Sequence, residues 1–170
     1  MYHQGPLEVI SMSEKASPDE AVLWQRRLAS QANNRAWTLA ESLSRTPEED
    51  EEMLQAAHAA MYFWKIVGNP RNRAHAAQLV AHAYALLGLG RPARRFQEES
   101  QPVLFGEGAE AWEVAMAHAV AANVAAANND TKAQSEHYWK AVRLTDSLPA
   151  EDRKVLNATL RVVPQPKDPT

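Results

Sequence analysis

Residues 77–100 read AQLVAHAYALLGLGRPARRFQEES, and this stretch decides the fold. Its first half is alanine and leucine, residues that cost a helix little. Gly88 stands where that helix must stop, because glycine suits the left-handed residue just past a helix end. Pro92 then fits the first turn of a second helix. A turn this short forces the two helices to run antiparallel. Ala81 and Ala93 are small enough to let them touch.

The same reading extends outward in both directions. The first member of this pair is expected from about Asn72 to Leu87, the second from Pro92 to about Leu104. Upstream, Ser17-Pro18-Asp19-Glu20 and Thr46-Pro47-Glu48-Glu49 are two helix starts of the same kind, a hydroxyl cap, a proline and a returning glutamate. The helix after Ser17 carries Trp24, Leu28, Ala32, Ala36, Leu39 and Leu43 at spacings of three and four, which predicts one buried face. The next carries Leu54, Ala57, His58, Met61 and Trp64 on its inward face and stops at Gly68-Asn69-Pro70, with Gly68 expected as its left-handed end. Its five opening acids, Glu48 to Glu52, complement the helix dipole.

Downstream, Phe105 to Gly108 is a loop, and a fifth helix is expected from about Ala109 to Ala127, closed by Asn128-Asn129. Asp130 or Thr131 caps a sixth helix running to about Ser147. A short seventh, striped by Leu156 and Leu160, ends near Val163. No segment alternates as a strand would. The chain is therefore expected to be all-α, with about seven helices in antiparallel pairs. Residues 17–163 form one helical domain in this reading, 1–16 a loose arm, and 164–170 a disordered proline-rich tail.

Ala81, Tyr84, Gly88 and Ala93 fall at the spacings of the tetratricopeptide repeat, which this stretch resembles. A poorer copy, Ala121, Val124, Asn128 and Ala133, lies forty residues on. Ala57-His58-Ala59-Ala60, Trp64, Val67-Gly68, Asn72-Arg73-Ala74 and Tyr84 to Gly88 also look like a group of small uncharacterised bacterial repeat proteins. The resemblance implies a short α-α superhelix that binds a protein or peptide and catalyses nothing. It leaves the partner unnamed.

Composition narrows the function classes. In 170 residues there are no cysteines, so disulfides and thiolate metal sites are excluded. A net charge of −3 gives no general pull toward nucleic acid or anionic lipid. The basic pairs Arg71/Arg73 and Arg91/Arg94/Arg95 are expected at opposite ends of one helix, roughly 25 Å apart at about 1.5 Å per residue. They form no single nucleic-acid patch in this reading, and the second cluster is expected to offset the acids of Glu48–Glu52. No leader-like or membrane-spanning segment is recognised, so a cytoplasmic location is expected.

The six histidines show no metal-ligand spacing, and neither metal nor cofactor is expected. His75 and His82 are two turns apart; His118 and His137 converge only if folding brings them together. His58, on an apolar face, reads either as a core histidine bonded to a neighbouring helix or as a polar group lining a pocket. In the second case Trp64 forms the wall, and Asn72 or Arg73 the rim. The candidate binding residues are thus His58, Trp64, Asn72, Arg73 and Tyr84. The five tryptophans read first as core, with one or two as anchors in a groove. The N-terminal pair lacks a cap, which suggests self-association as a homodimer.

Overall fold

Three helices begin with one device. In α1 (Pro18–Ala40), α2 (Pro47–Val67) and α3 (Pro70–Leu86), the residue before a proline takes the cap: Ser17, Thr46 and Asn69. Each cap accepts a bond from the backbone three residues on, and Glu20, Glu49 and Asn72 return it. Asn69-Pro70 therefore does double duty. It ends α2, as expected, and also starts α3 two residues before the expected Asn72.

The computed structural model describes residues 17–167. The helices α4 (Gly90–Leu104), α5 (Ala111–Ala127), α6 (Thr131–Asp146) and α7 (Ala150–Leu160) complete seven helices, and no strand occurs among the described residues. Neighbours pair as α1 with α2, α3 with α4 and α5 with α6. The first helices of successive pairs also touch, α1 on α3 and α3 on α5, and α7 lies on α5 and α6. No described helix is long and apolar enough to cross a membrane. The expected arm 1–16 lies outside the described residues. The expected disordered tail is corrected for its first part: Pro166 is buried, and the Pro164 carbonyl accepts a 2.8 Å bond from Gln134 on α6.

The core is built on alanine. Along α3 and α5 about two thirds of the residues are buried, and more than half of those are alanine. Small side chains let four neighbours crowd these two helices on all sides. One core cluster joins Ala81 and Ala85 of α3, Met116, Val120 and Val124 of α5, and Leu148 and Leu156 of the C-terminal end, with Trp37 of α1 packed against it. A second joins Ala36, Leu39 and Ala40 of α1 to Met53 and Ala57 of α2 and Leu79, Val80 and Ala83 of α3.

That second cluster explains a correction. Trp24 and Leu28, expected inside, are 57% and 42% exposed, and Leu43 is 73% exposed beyond the helix end. α1 joins α3 in that cluster through Ala36, Leu39 and Ala40 near its C-terminal end, and its first turns contribute nothing to it. None of the five tryptophans is fully buried.

Two turns share one geometry. Gly88 has φ +71°, and the Leu89 N–H bonds to the Tyr84 carbonyl at 2.9 Å. Asn129 has φ +58°, and the Asp130 N–H bonds to the Ala125 carbonyl at 2.9 Å. This six-residue closure around a left-handed residue needs glycine or, failing that, asparagine. The two left-handed residues stand 41 positions apart, and it is Asn129 rather than Asn128 that takes this conformation. Asn128 instead spans the two turns, its amide donating to the carbonyls of Gly90 and Val124. Gly68 departs from expectation: its φ is −91°, not left-handed. Its smallness serves close approach, since a Cβ there would lie 2.5 Å from the Trp64 carbonyl oxygen and 2.9 Å from Asn72 Cβ.

Candidate functional site

The register of α2 brings His58, Met61, Tyr62 and Lys65 along one face by spacings of three and four. α4 presents Arg95, Phe96 and Glu99 opposite, and Arg73 enters from the first turn of α3. Between them lies a cleft of about 550 Å³. His58 Nε2 is hydrogen-bonded to the Tyr84 hydroxyl at 2.9 Å, across from α2 to α3. The His58 ring stands edge-on to both Tyr84 and Phe96, which stack on one another with centroids 5.8 Å apart. Burial lowers the His58 pKa, so the ring is neutral at neutral pH.

Charge at this cleft is unbalanced. Three cations, Lys65, Arg73 and Arg95, face one acid, Glu99. None of the three cations makes an ion pair among the described residues. Arg73 is steadied by a 3.0 Å bond to the Gly68 carbonyl, and the Arg95 guanidinium lies over Phe96 at 5.5 Å from the ring centre.

A second polar cluster ties α3 to α5. Glu113, 1% exposed, accepts bonds from Arg71 Nε at 2.6 Å and from Arg71 Nη2. His75 Nε2 also meets it at 2.6 Å, and the Glu110 N–H donates to it at 2.8 Å. Arg71, more than any other group, holds the Glu113 carboxyl down to about 2. Trp112 stacks flat on His75, and its Nε1 donates to Glu110.

A third cluster is uncharged. His82, fully buried, accepts at Nδ1 from the Asn123 amide at 3.0 Å and lies 5.6 Å from the Trp37 ring. Burial, with Arg45 nearby, pushes its pKa down to about 3. Folding also brings His118 and His137 together, Nδ1 to Nδ1 at 2.7 Å. Burial lowers both, His118 to about 4, so one neutral ring donates to the other. No group of three or more candidate metal ligands gathers among the described residues.

No family model, curated protein or solved structure matches this chain.

Of the residues read from sequence, His58 and Arg73 line the cleft, and Tyr84 sits behind His58 as its hydrogen-bond partner. His58, half-buried, is bonded to a neighbouring helix and also lines the cleft. Trp64 and Asn72 do not line the cleft. Trp64 packs against the Gly68 turn, and Asn72 is the returning half of the α3 cap. Arg95 shares the cleft with Arg73, correcting the expectation that the two basic groups stay apart. Their helices run antiparallel, and long side chains from different heights reach one space. The acids of α2 turn to α1 and the loop after it instead: Glu52 pairs with Arg35 and Asp50 with Arg45, each at 2.6 Å.

The reading from sequence missed Lys65, Phe96 and Glu99, and the whole Glu113 cluster. The one local signal for Glu113 was its spacing of three from Glu110 before an apolar run, a cap pattern made unfamiliar by glutamate at the cap.

Proposed function

We propose that the chain is a non-catalytic binding module, a tetratricopeptide-like stack of helix pairs whose α2–α4 cleft receives a segment of a protein partner. The observation that carries this is the cleft itself. It has an apolar and aromatic floor, and cations at its edge that no acid among the described residues engages. Sites that anchor a partner combine such a floor with a polar rim. The pairwise neighbours and the shared turn geometry at Gly88 and Asn129 support the repeat reading.

A displayed library of random peptides tests the proposal. Clones are selected on the wild-type protein and counter-selected on Met61→Arg and Phe96→Ala variants. Clones that need both residues are expected. A diverse library that yields no clone depending on the cleft overturns the reading.

A small-molecule sensor or enzyme is the second reading, with its pocket at His58 and Arg73. About 550 Å³ is a volume in which drug-sized molecules bind. A small aromatic acid that raises Tm in the wild type and not in Arg73→Gln would favour it.

A further inference from the structure

We infer that the α2–α4 cleft recognises an acidic side chain flanked by an apolar one, so that its partner is an acidic peptide segment. This rests on the reading that the cleft receives a protein segment, and adds what the segment must carry.

The first support is charge. Lys65, Arg73 and Arg95 surround the space, and among the described residues only Glu99 opposes them there. Arg71 lies two residues before Arg73 and is engaged by two carboxylates of its own chain. Arg73 has a carbonyl as its recorded partner, which fixes the guanidinium without neutralising it. An anion arriving here meets charge that is already oriented, which favours fast association and selects against cationic partners.

The second support comes from inside the molecule. Around Glu113 the chain assembles an arginine, a histidine and a flat aromatic ring about one carboxylate. The cleft assembles the same three kinds of group, Arg73, His58 and Phe96, about a space. His58 acts there as a positioning residue, because Tyr84 takes its Nε2 and holds its ring against Phe96.

The third support is size and surroundings. The floor formed by Met61 and Phe96 offers contact to an apolar side chain, and the volume suits one or two side chains. A polyanion fits poorly. Glu99 stands in the wall, the acids Glu48 to Glu52 open the same helix α2, and the chain carries a net charge of −3. Repulsion from these groups penalises a run of phosphates more than a single carboxylate.

The test uses the full chain and two displayed libraries. One restricts its variable positions to Asp, Glu and apolar residues; the other replaces the acids by Asn and Gln. Selected sequences are made as fluorescent peptides and titrated by anisotropy. Cleft-dependent clones are expected from the acidic library, with affinity falling at least tenfold in Lys65→Glu/Arg73→Glu and rising about twofold to threefold in Glu99→Gln. Raising salt from about 0.05 to 0.5 M should weaken them, as screened charge requires. Circular dichroism melts keep the variants honest: a charge-reversed protein with unchanged Tm that has lost the peptide supports the inference. Cleft-dependent clones that are neutral, and that bind the charge-reversed variant equally, overturn the inference and leave the binding module standing. If neither library yields a cleft-dependent clone, the binding reading fails and the inference fails with it. Anionic vesicles or RNA bound in place of any peptide, and lost in Lys65→Glu/Arg73→Glu, would overturn the peptide assignment.

Discussion

Around Glu113 and at the α2–α4 cleft an arginine, a histidine and an aromatic ring come together, and only around Glu113 do they close on a carboxylate. At the base of α3 and α5, Arg71, His75 and Trp112 gather around Glu113. Between α2 and α4, Arg73, His58 and Phe96 gather around a cleft. The difference lies in which element faces the cations. α5 offers Glu113 in its first turn, where it also completes a cap. α4 offers the floor residue Phe96, and its one acid there, Glu99, pairs with no cation among the described residues. Similar residue types thus make a finished structural joint in one place and an open receptor in the other. Burial and a supplied counter-charge decide which.

The comparison breaks most visibly at the joint. Replacing Glu113 with alanine removes a buried carboxylate and strands Arg71 and His75. Urea denaturation should report a loss of about 3 kcal/mol, at the low end for breaking a buried pair because Arg71 is partly exposed. A loss under about 1 kcal/mol would mean that the joint does not hold α3 to α5.

Acid should separate the charged joint from the neutral interior. The folded pKa of His82, about 3, lies below the ordinary 6.5. The unfolded chain therefore takes up a proton that the folded chain refuses. The stability of neutral His82 is whole above 6.5 and is lost as pH falls from there toward 3. At pH 5 the loss relative to pH 8 should be roughly 2 kcal/mol, and His82→Gln should flatten that slope. Glu113 acts in a lower window. Its stabilisation is present above about 4.5 and lost toward 2, so Glu113→Gln should change the slope only below pH 4.5. Urea midpoints measured from pH 8 to pH 3 check both.

The cleft can be given a carboxylate among its cations. Met61→Glu should shift stability by no more than about 0.5 kcal/mol, as a partly exposed pair does, yet block a peptide selected on the wild type. The smallest effect belongs to Arg73→Gln. It should leave stability within about 0.5 kcal/mol of wild type, whereas Arg71→Gln should be plainly destabilising. Equal losses from the two arginines would erase the distinction between joint and receptor.

Much of the fold was legible because its signals are local. Ser17-Pro18 and Thr46-Pro47 announce helix starts, and Gly88 announces a stop, through bonds that span three to six residues. The left-handed stop after α5 was read at Asn128 instead of Asn129, because either asparagine suits that place until one is seen to take φ +58°. Trp24 was misplaced because periodicity reports a face and not whether another helix covers it. At the site, His58, Tyr84 and Arg73 were legible as polar groups on apolar faces. Trp64 and Asn72 were drawn in by proximity in sequence, although backbone tasks at Gly68 and Asn69 already claim them. Arg71 and Glu113 lie 42 residues apart, and no local rule pairs them.

The last helix leans back on the first. Thr159 of α7 donates to Glu41, at the end of α1, across 118 residues of chain at 3.5 Å, and the cluster that holds Leu156 also packs on Trp37. In an open array of repeats the end units can melt alone, because each touches only its neighbours. Here one core cluster takes in Leu156 of α7 and packs on Trp37 of α1, which couples the end of the chain to the first helix. The chain should melt in one step, with α1 and α7 losing their structure at the same temperature.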